Sequence, residues 1–147
     1  MDNEKLIMYL DGLPQDTYVL HGAKEKQDVL YPAFPHQPNL IEEYNLCAVY
    51  GTLCTEISIL YAVIHEEKTN WGWKIYPKKT PSLCVYGPPS LKGGLGYIHI
   101  LERSDFTQVI EPGLVCLAFT PVRPLEVIEI QPTILESLQR RRRLRCL

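Results

Sequence analysis

Apolar and polar residues along this chain follow two different periods, and the change from one to the other divides it into elements. Thr17 to Leu20 alternates as a strand and ends at His21-Gly22. Asp28-Val29-Leu30-Tyr31-Pro32 is a short extended piece that leads into Pro32-Ala33-Phe34-Pro35-His36-Gln37-Pro38. The prolines there fix backbone angles and remove donors, which predicts an ordered but irregular loop. Leu46 to Tyr50 is the next strand, punctuated by Gly51. Thr52 then caps a helix whose apolar residues Leu53, Ile57, Leu60, Tyr61 and Ile64 recur at the spacing of one buried face. Upstream, residues 1–10 suit a short helix or strand, and Asp11-Gly12-Leu13-Pro14 reads as a turn.

Beyond Asn70-Trp71-Gly72 the period shortens to two. Trp73 to Tyr76, Leu83 to Tyr86, Gly96 to Leu101, Leu114 to Phe119 and Leu125 to Ile130 read as strands. Pro88-Pro89 and Gly93-Gly94 mark turns between them, and Ile134 to Arg145 reads as a closing helix with a basic end. This order predicts one α+β domain over residues 1–138, with few helices and mostly antiparallel strands, followed by a basic tail over 139–147.

Composition narrows the function classes. A chain of 147 residues, 46% hydrophobic and 22% charged, suits one core, and no apolar run approaches a membrane span. The polar start Met1-Asp2-Asn3-Glu4-Lys5 does not resemble a secretory signal, so a cytoplasmic protein without membrane contact is expected. The cysteines form no C-x-x-C pair; Cys47, Cys84 and Cys116 sit in strand-like runs and are expected as small core hydrophobes. Charge is unevenly divided. Residues 1–73 carry 4 Lys+Arg against 11 Asp+Glu, a balance of −7, and residues 74–147 carry 11 against 6, a balance of +5. The run Arg140-Arg141-Arg142-Arg143-Leu144-Arg145 supplies much of the positive excess. It reads as a solvated helix end, a phosphate-binding arm for nucleic acid, or a contact for an acidic surface.

Common enzyme templates are absent: there is no phosphate-loop, nucleophile-elbow or H-E-x-x-H pattern. Gly93-Gly94-Leu95-Gly96 precedes a strand, whereas a dinucleotide fingerprint lies between a strand and a helix, so it reads as a hairpin turn. His36, His65 and His99 have no ligand-like spacing and read as solvated or core residues; no metal site is expected.

A strand ending in His21-Gly22, a strand ending in Tyr50-Gly51-Thr52, and a following helix with Tyr61 together resemble the ADP-ribosyltransferase-like superfamily. The likeness is to its His-Tyr-Glu branch, that of diphtheria toxin and the poly(ADP-ribose) polymerases, and to small bacterial and phage members. Gly96 to Leu101 and Val122 to Ile130 also follow that order of elements. The resemblance implies a split, mostly antiparallel sheet and NAD as substrate, with ADP-ribose passed to a protein or nucleic-acid acceptor. It implies that His21 and Gly22 grip the nicotinamide amide and its ribose, and that Tyr50 and Tyr61 stack on the nicotinamide ring. Gly51 and Thr52 complete the implied cofactor-binding set. A flat aromatic amide suits two stacked rings and a backbone edge at a residue without a side chain. A carboxylate would stabilise the oxocarbenium-like ribose, and there the chain departs from the pattern. Gly113 to Thr120 carries no acid; Glu111, just ahead, is the nearest candidate, and alternation puts Glu126 and Glu129 on opposite faces of their strand. Three functions follow: a transferase, a domain that binds NAD or ADP-ribose without turnover, or an interaction protein using the acidic body and the basic run.

Overall fold

The computed structural model describes residues 2–35, 45–64, 70–74, 82–86, 94–111 and 115–146. Its class is α+β. Among the described residues, helices α1 (Asn3–Asp11), α2 (Thr55–Val63) and α3 (Ile134–Arg140) accompany nine strands: β1 (Tyr18–Ala23), β2 (Val49–Gly51), β3 (Asn70–Lys74), β4 (Ser82–Tyr86), β5 (Gly96–Glu102), β6 (Gln108–Glu111), β7 (Val115–Ala118), β8 (Glu126–Ile130) and β9 (Arg145–Cys146). The strands form three three-stranded sheets, ordered β1-β5-β8, β2-β7-β6 and β3-β4-β9. The first two are antiparallel throughout, and only β9 runs parallel to its neighbour.

Local chemistry explains the helices. Asp2 caps α1, its Oδ1 accepting the Lys5 N–H at 2.8 Å, and Leu6, Ile7 and Leu10 form the buried stripe. Helix α2 is buried on nearly every side, with Ile57, Ile59, Leu60, Ala62 and Val63 at 2% exposure or less, so it is a core helix. It starts later than expected. Thr52 is not its cap: the Thr52 hydroxyl accepts the Cys54 N–H at 3.0 Å, and the first helical residue is Thr55.

The β1-β5-β8 sheet has a core on each face. On one side Leu20, Ile98, Ile100 and Ile130 pack with α1, α2 and α3; on the other, Val19 and Leu101 meet Val49, Cys116 and Ala118 of the second sheet. Two glycines let α2 press onto the first sheet. A Cβ on Gly22 would lie 1.8 Å from the Ser58 carbonyl oxygen, and one on Gly96 would lie 2.0 Å from that of Ala62. His21-Gly22 is therefore not a corner at the end of a strand; β1 continues through both residues to Ala23.

Other expectations shift too. Strand β6 lies where no strand is expected, and the last helix ends at Arg140, short of the expected Arg145. Cys116 is buried as expected, but Cys47 is exposed. His36, His65, Pro88-Pro89, Gly93 and the end of the expected Trp73 to Tyr76 strand lie outside the described residues.

The basic segment, expected as a tail, packs onto the domain. After α3 the chain reverses through Arg142, whose φ of 57° lies in the left-handed region. The Arg142 N–H bonds the Gln139 carbonyl and the Arg143 N–H bonds the Leu138 carbonyl, each at 2.9 Å, which is a Schellman closure. Leu144 then enters the core at 3% exposure. Arg143 clasps both carboxylate oxygens of Asp11, at 2.6 and 2.9 Å, and also pairs with Glu56. Arg141 meets Glu4 at 2.6 Å. Part of the charge division in the sequence is thus neutralised inside the molecule. Among the described residues no helix is long and apolar enough to cross a membrane.

Candidate functional site

The sheets β1-β5-β8 and β2-β7-β6 meet at one point. Leu20 and Thr52 exchange both backbone hydrogen bonds at 2.8 Å, an isolated bridge between β1 and the end of β2. Backbone groups in an antiparallel strand alternate in direction. Since Leu20 faces β2, His21 faces β5 and Gly22 faces the β2 side again. A continued ladder would join Gly22 to Tyr50. Here the strands part, and the Tyr50 carbonyl accepts instead from the His21 ring, with Nδ1 at 2.6 Å.

That contact sets the chemistry of His21. A carbonyl oxygen can only accept, so Nδ1 carries the proton and Nε2 holds the lone pair. Burial pushes the pKa of His21 below its usual value, against a smaller opposing effect from the Tyr50 carbonyl, so the ring is neutral near pH 7. The result is a hydrogen-bond acceptor, Nε2, suited to a hydroxyl or an N–H.

His99 lies directly across from His21 in the β1–β5 register. The two rings meet edge to face with centroids 5.7 Å apart. His99 is fully buried and both ring nitrogens are engaged: Nε2 accepts the Gln27 N–H at 3.0 Å, leaving Nδ1 to donate to the His21 carbonyl at 3.2 Å. Burial lowers its pKa to about 4. Sequence reasoning read His99 as solvated or core, and the core alternative holds. It missed the pairing with His21, whose signal was a histidine within each of two antiparallel strands.

The remaining expected residues divide into those the fold brings together and those it does not. Tyr50 adjoins His21 through its carbonyl; its phenol donates to the Leu46 carbonyl at 2.6 Å and accepts the Leu46 N–H at 2.9 Å, stitching the approach to β2. Burial raises the pKa of that phenol. Gly22 sits beneath α2, and Tyr61 lies on α2 between the Ser58 and Ala62 positions that touch it, with 55% of its surface exposed. Gly51 serves packing, since a Cβ there would come within 2.3 Å of the Val19 side chain. Thr52 is buried in the bridge.

Glu111 ends β6, and β7 lies between β6 and β2, so two strand spacings of about 5 Å each separate Glu111 from the strand of Tyr50. Glu126 accepts the Tyr9 hydroxyl at 2.7 Å on the helix-covered side of its sheet. By alternation Glu129 shares the His21 side, where it pairs in register with Tyr97. Among the described residues no three His, Cys, Asp or Glu side chains form a group that could hold a metal ion. Comparison with protein-family models, curated proteins and solved structures returns no match.

Proposed function

We propose that this chain is an ADP-ribosyltransferase-like domain that binds NAD by its nicotinamide-ribose half, in the cleft where β1 and β2 part. The observation that carries the reading is the state of His21. Its Nδ1–H is fixed on the Tyr50 carbonyl, so Nε2 is a ready acceptor for a ribose hydroxyl. Three features support it. The main-chain N–H and C=O of Gly22 are directed toward the gap between the strands, where a carboxamide could take one bond from each. Tyr61 projects from the helix that rests on Gly22, on the sheet face opposite the His21 ring, with half its surface open toward the strand edge where a ligand could reach both. Tyr50 flanks the same gap from β2.

Binding is the part of the function that the geometry supports best. Transfer of ADP-ribose to a protein or nucleic-acid acceptor needs a carboxylate near the scissile bond, and Glu111 is the candidate that the sequence offers. Among the described residues, burial and the Tyr50 carbonyl account for the perturbation of His21. A domain that holds NAD without turning it over is the favoured form, because what His21, Gly22 and Tyr61 offer are binding contacts. The nucleic-acid reading of Arg140 to Arg145 is weakened because Arg140, Arg141 and Arg143 already face Glu4, Asp11 and Glu56.

Titration calorimetry with NAD tests the binding, and chromatography of released nicotinamide tests the turnover. NAD should bind the wild-type chain and release no nicotinamide, and His21→Ala should weaken binding about tenfold, the effect of one lost hydrogen bond. Equal affinity in wild type and His21→Ala would sink the assignment. Nicotinamide release that Glu111→Gln abolishes would establish turnover, and ADP-ribose found covalently on an acceptor, not free after hydrolysis, would establish the transferase form.

A further inference from the structure

We propose that His99 is a positioning residue for His21, holding its ring on the Tyr50 carbonyl from the opposite strand so that the proton stays on Nδ1 and the lone pair on Nε2. The inference deepens the nucleotide-binding reading, and its main readout does not depend on that reading. The need for such a device follows from the parting of the strands. At Leu20 an isolated bridge to Thr52 gives β1 a partner on its second edge; at His21 and Gly22 no such bridge is made, and β5 holds the chain. A histidine side chain in that position can rotate about two torsions, and a single bond to a carbonyl does not fix both.

His99 supplies the missing constraints. Its Nδ1–H adds a bond to the His21 carbonyl, and its ring meets the His21 ring edge to face. Its Nε2 takes the N–H of Gln27, which seats the loop leaving β1 beside the same pair. The arrangement needs one donor and one acceptor on opposite sides of a rigid planar ring. A neutral imidazole has both; phenylalanine has neither, and glutamine has both without the ring. Being fully buried, His99 keeps this neutral form at pH 7. Among the described residues, the groups facing the pair are Tyr50 from β2, each histidine from the other's strand, and Lys26 from the loop.

Ring nitrogen NMR of His21 across a pH series, in wild type, His99→Phe and His99→Gln, is the test. In the wild type His21 should report a single neutral tautomer protonated on Nδ1. In His99→Phe the two tautomers should mix, and His21 should titrate closer to the ordinary histidine value. His99→Gln should fall between the two. Unchanged tautomer and titration in a folded His99→Phe protein would overturn the proposal. Should that variant not fold, Gln27→Pro removes the N–H on His99 Nε2 from a loop position. Mixing at His21 would then support the proposal, and an unchanged single tautomer would overturn it. Calorimetry with NAD adds a second readout, with about tenfold weaker binding expected in His99→Phe. If NAD does not bind the wild type, the functional reading fails while the NMR result still decides the role of His99.

Discussion

Replacing Gly22 by alanine separates two reasons for a glycine at this position. If the residue only leaves room for a ligand against the main chain, Gly22→Ala should lower affinity and leave the free protein as stable as before. The contact with α2 predicts otherwise. The new Cβ would stand 1.8 Å from the Ser58 carbonyl oxygen and 2.9 Å from the Ala62 nitrogen, whereas ordinary contacts begin near 3.4 Å. Both neighbours are helix backbone and cannot swing aside as a flexible side chain can. Relief requires α2 and β1 to separate by more than an ångström, across a helix whose Ile59, Leu60, Ala62 and Val63 are fully buried. Overpacking of a core costs about 1–3 kcal/mol, and a clash with rigid backbone belongs at the upper end. In a chain of this size about 3 kcal/mol lowers the Tm by roughly 6–12 °C.

The assay is urea and thermal unfolding of the ligand-free protein by far-UV circular dichroism, with Gly12→Ala as control. Gly12 has φ of −79°, and a Cβ there meets the Met8 carbonyl oxygen at 3.3 Å. Its replacement should change stability by less than about 0.5 kcal/mol, any gain coming from a less flexible unfolded chain. A Gly22→Ala protein within about 0.5 kcal/mol of wild type, in the absence of ligand, would falsify the packing argument.

Four other predictions follow from the same contacts. His99 has a folded pKa of about 4 against an ordinary 6.5, so on acidification the unfolded chain takes up the proton first. Its contribution is complete above about pH 6.5 and is lost as pH falls toward 4, by up to about 3 kcal/mol, with His21 acting in the same direction; urea midpoints should drop across that window and drop less in His99→Gln. Arg143→Ala removes the common partner of Asp11 and the largely buried Glu56 and should cost about 1–3 kcal/mol, whereas Arg141→Ala, facing the more exposed Glu4, should cost less than about 1 kcal/mol in the same denaturation assay. Arg142→Gly relieves a left-handed residue at a helix end and should raise stability by about 1 kcal/mol, seen as a higher urea midpoint. Tyr61→Ala should cost less stability than Gly22→Ala, because the residue is 55% exposed, yet weaken NAD binding about tenfold by calorimetry.

The elements with a clean period were legible in the sequence. The strands at His21, Gly96 to Leu101 and Leu125 to Ile130, and the helix through Ile57 and Leu60, lie close to where alternation or the helical repeat places them. What escaped depends on partners distant in sequence. Strand β6 has only four residues and a register shift against β7, so its own residues give little signal. The expected helix through Arg145 ends early because Arg142 adopts a conformation that usually calls for glycine, leaving no punctuation to read. Thr52 reads as the helix cap, but the bridge to Leu20 claims it and the helix begins at Thr55, after Cys54. The arginine run looked like a tail because its acids lie on α1 and α2, which only the folded chain brings close. His99 was visible as a residue, but its role required the register that sets it opposite His21.

At Gly22 packing and the proposed binding need not compete for one residue. In a strand the side-chain direction runs perpendicular to the sheet, while the N–H and C=O lie within it. The missing Cβ of Gly22 admits the backbone of α2 from above the sheet. Its main-chain groups point sideways, toward the gap that β2 leaves beyond Leu20 and Thr52. The same close approach that makes alanine intolerable brings the helix bearing Tyr61 down onto the strand edge. Any displacement of α2 therefore moves Tyr61 relative to Gly22 and His21. Loss of stability and loss of affinity should then rise together for substitutions at Gly22, and separate for substitutions at Tyr61, which lies on the open flank of α2.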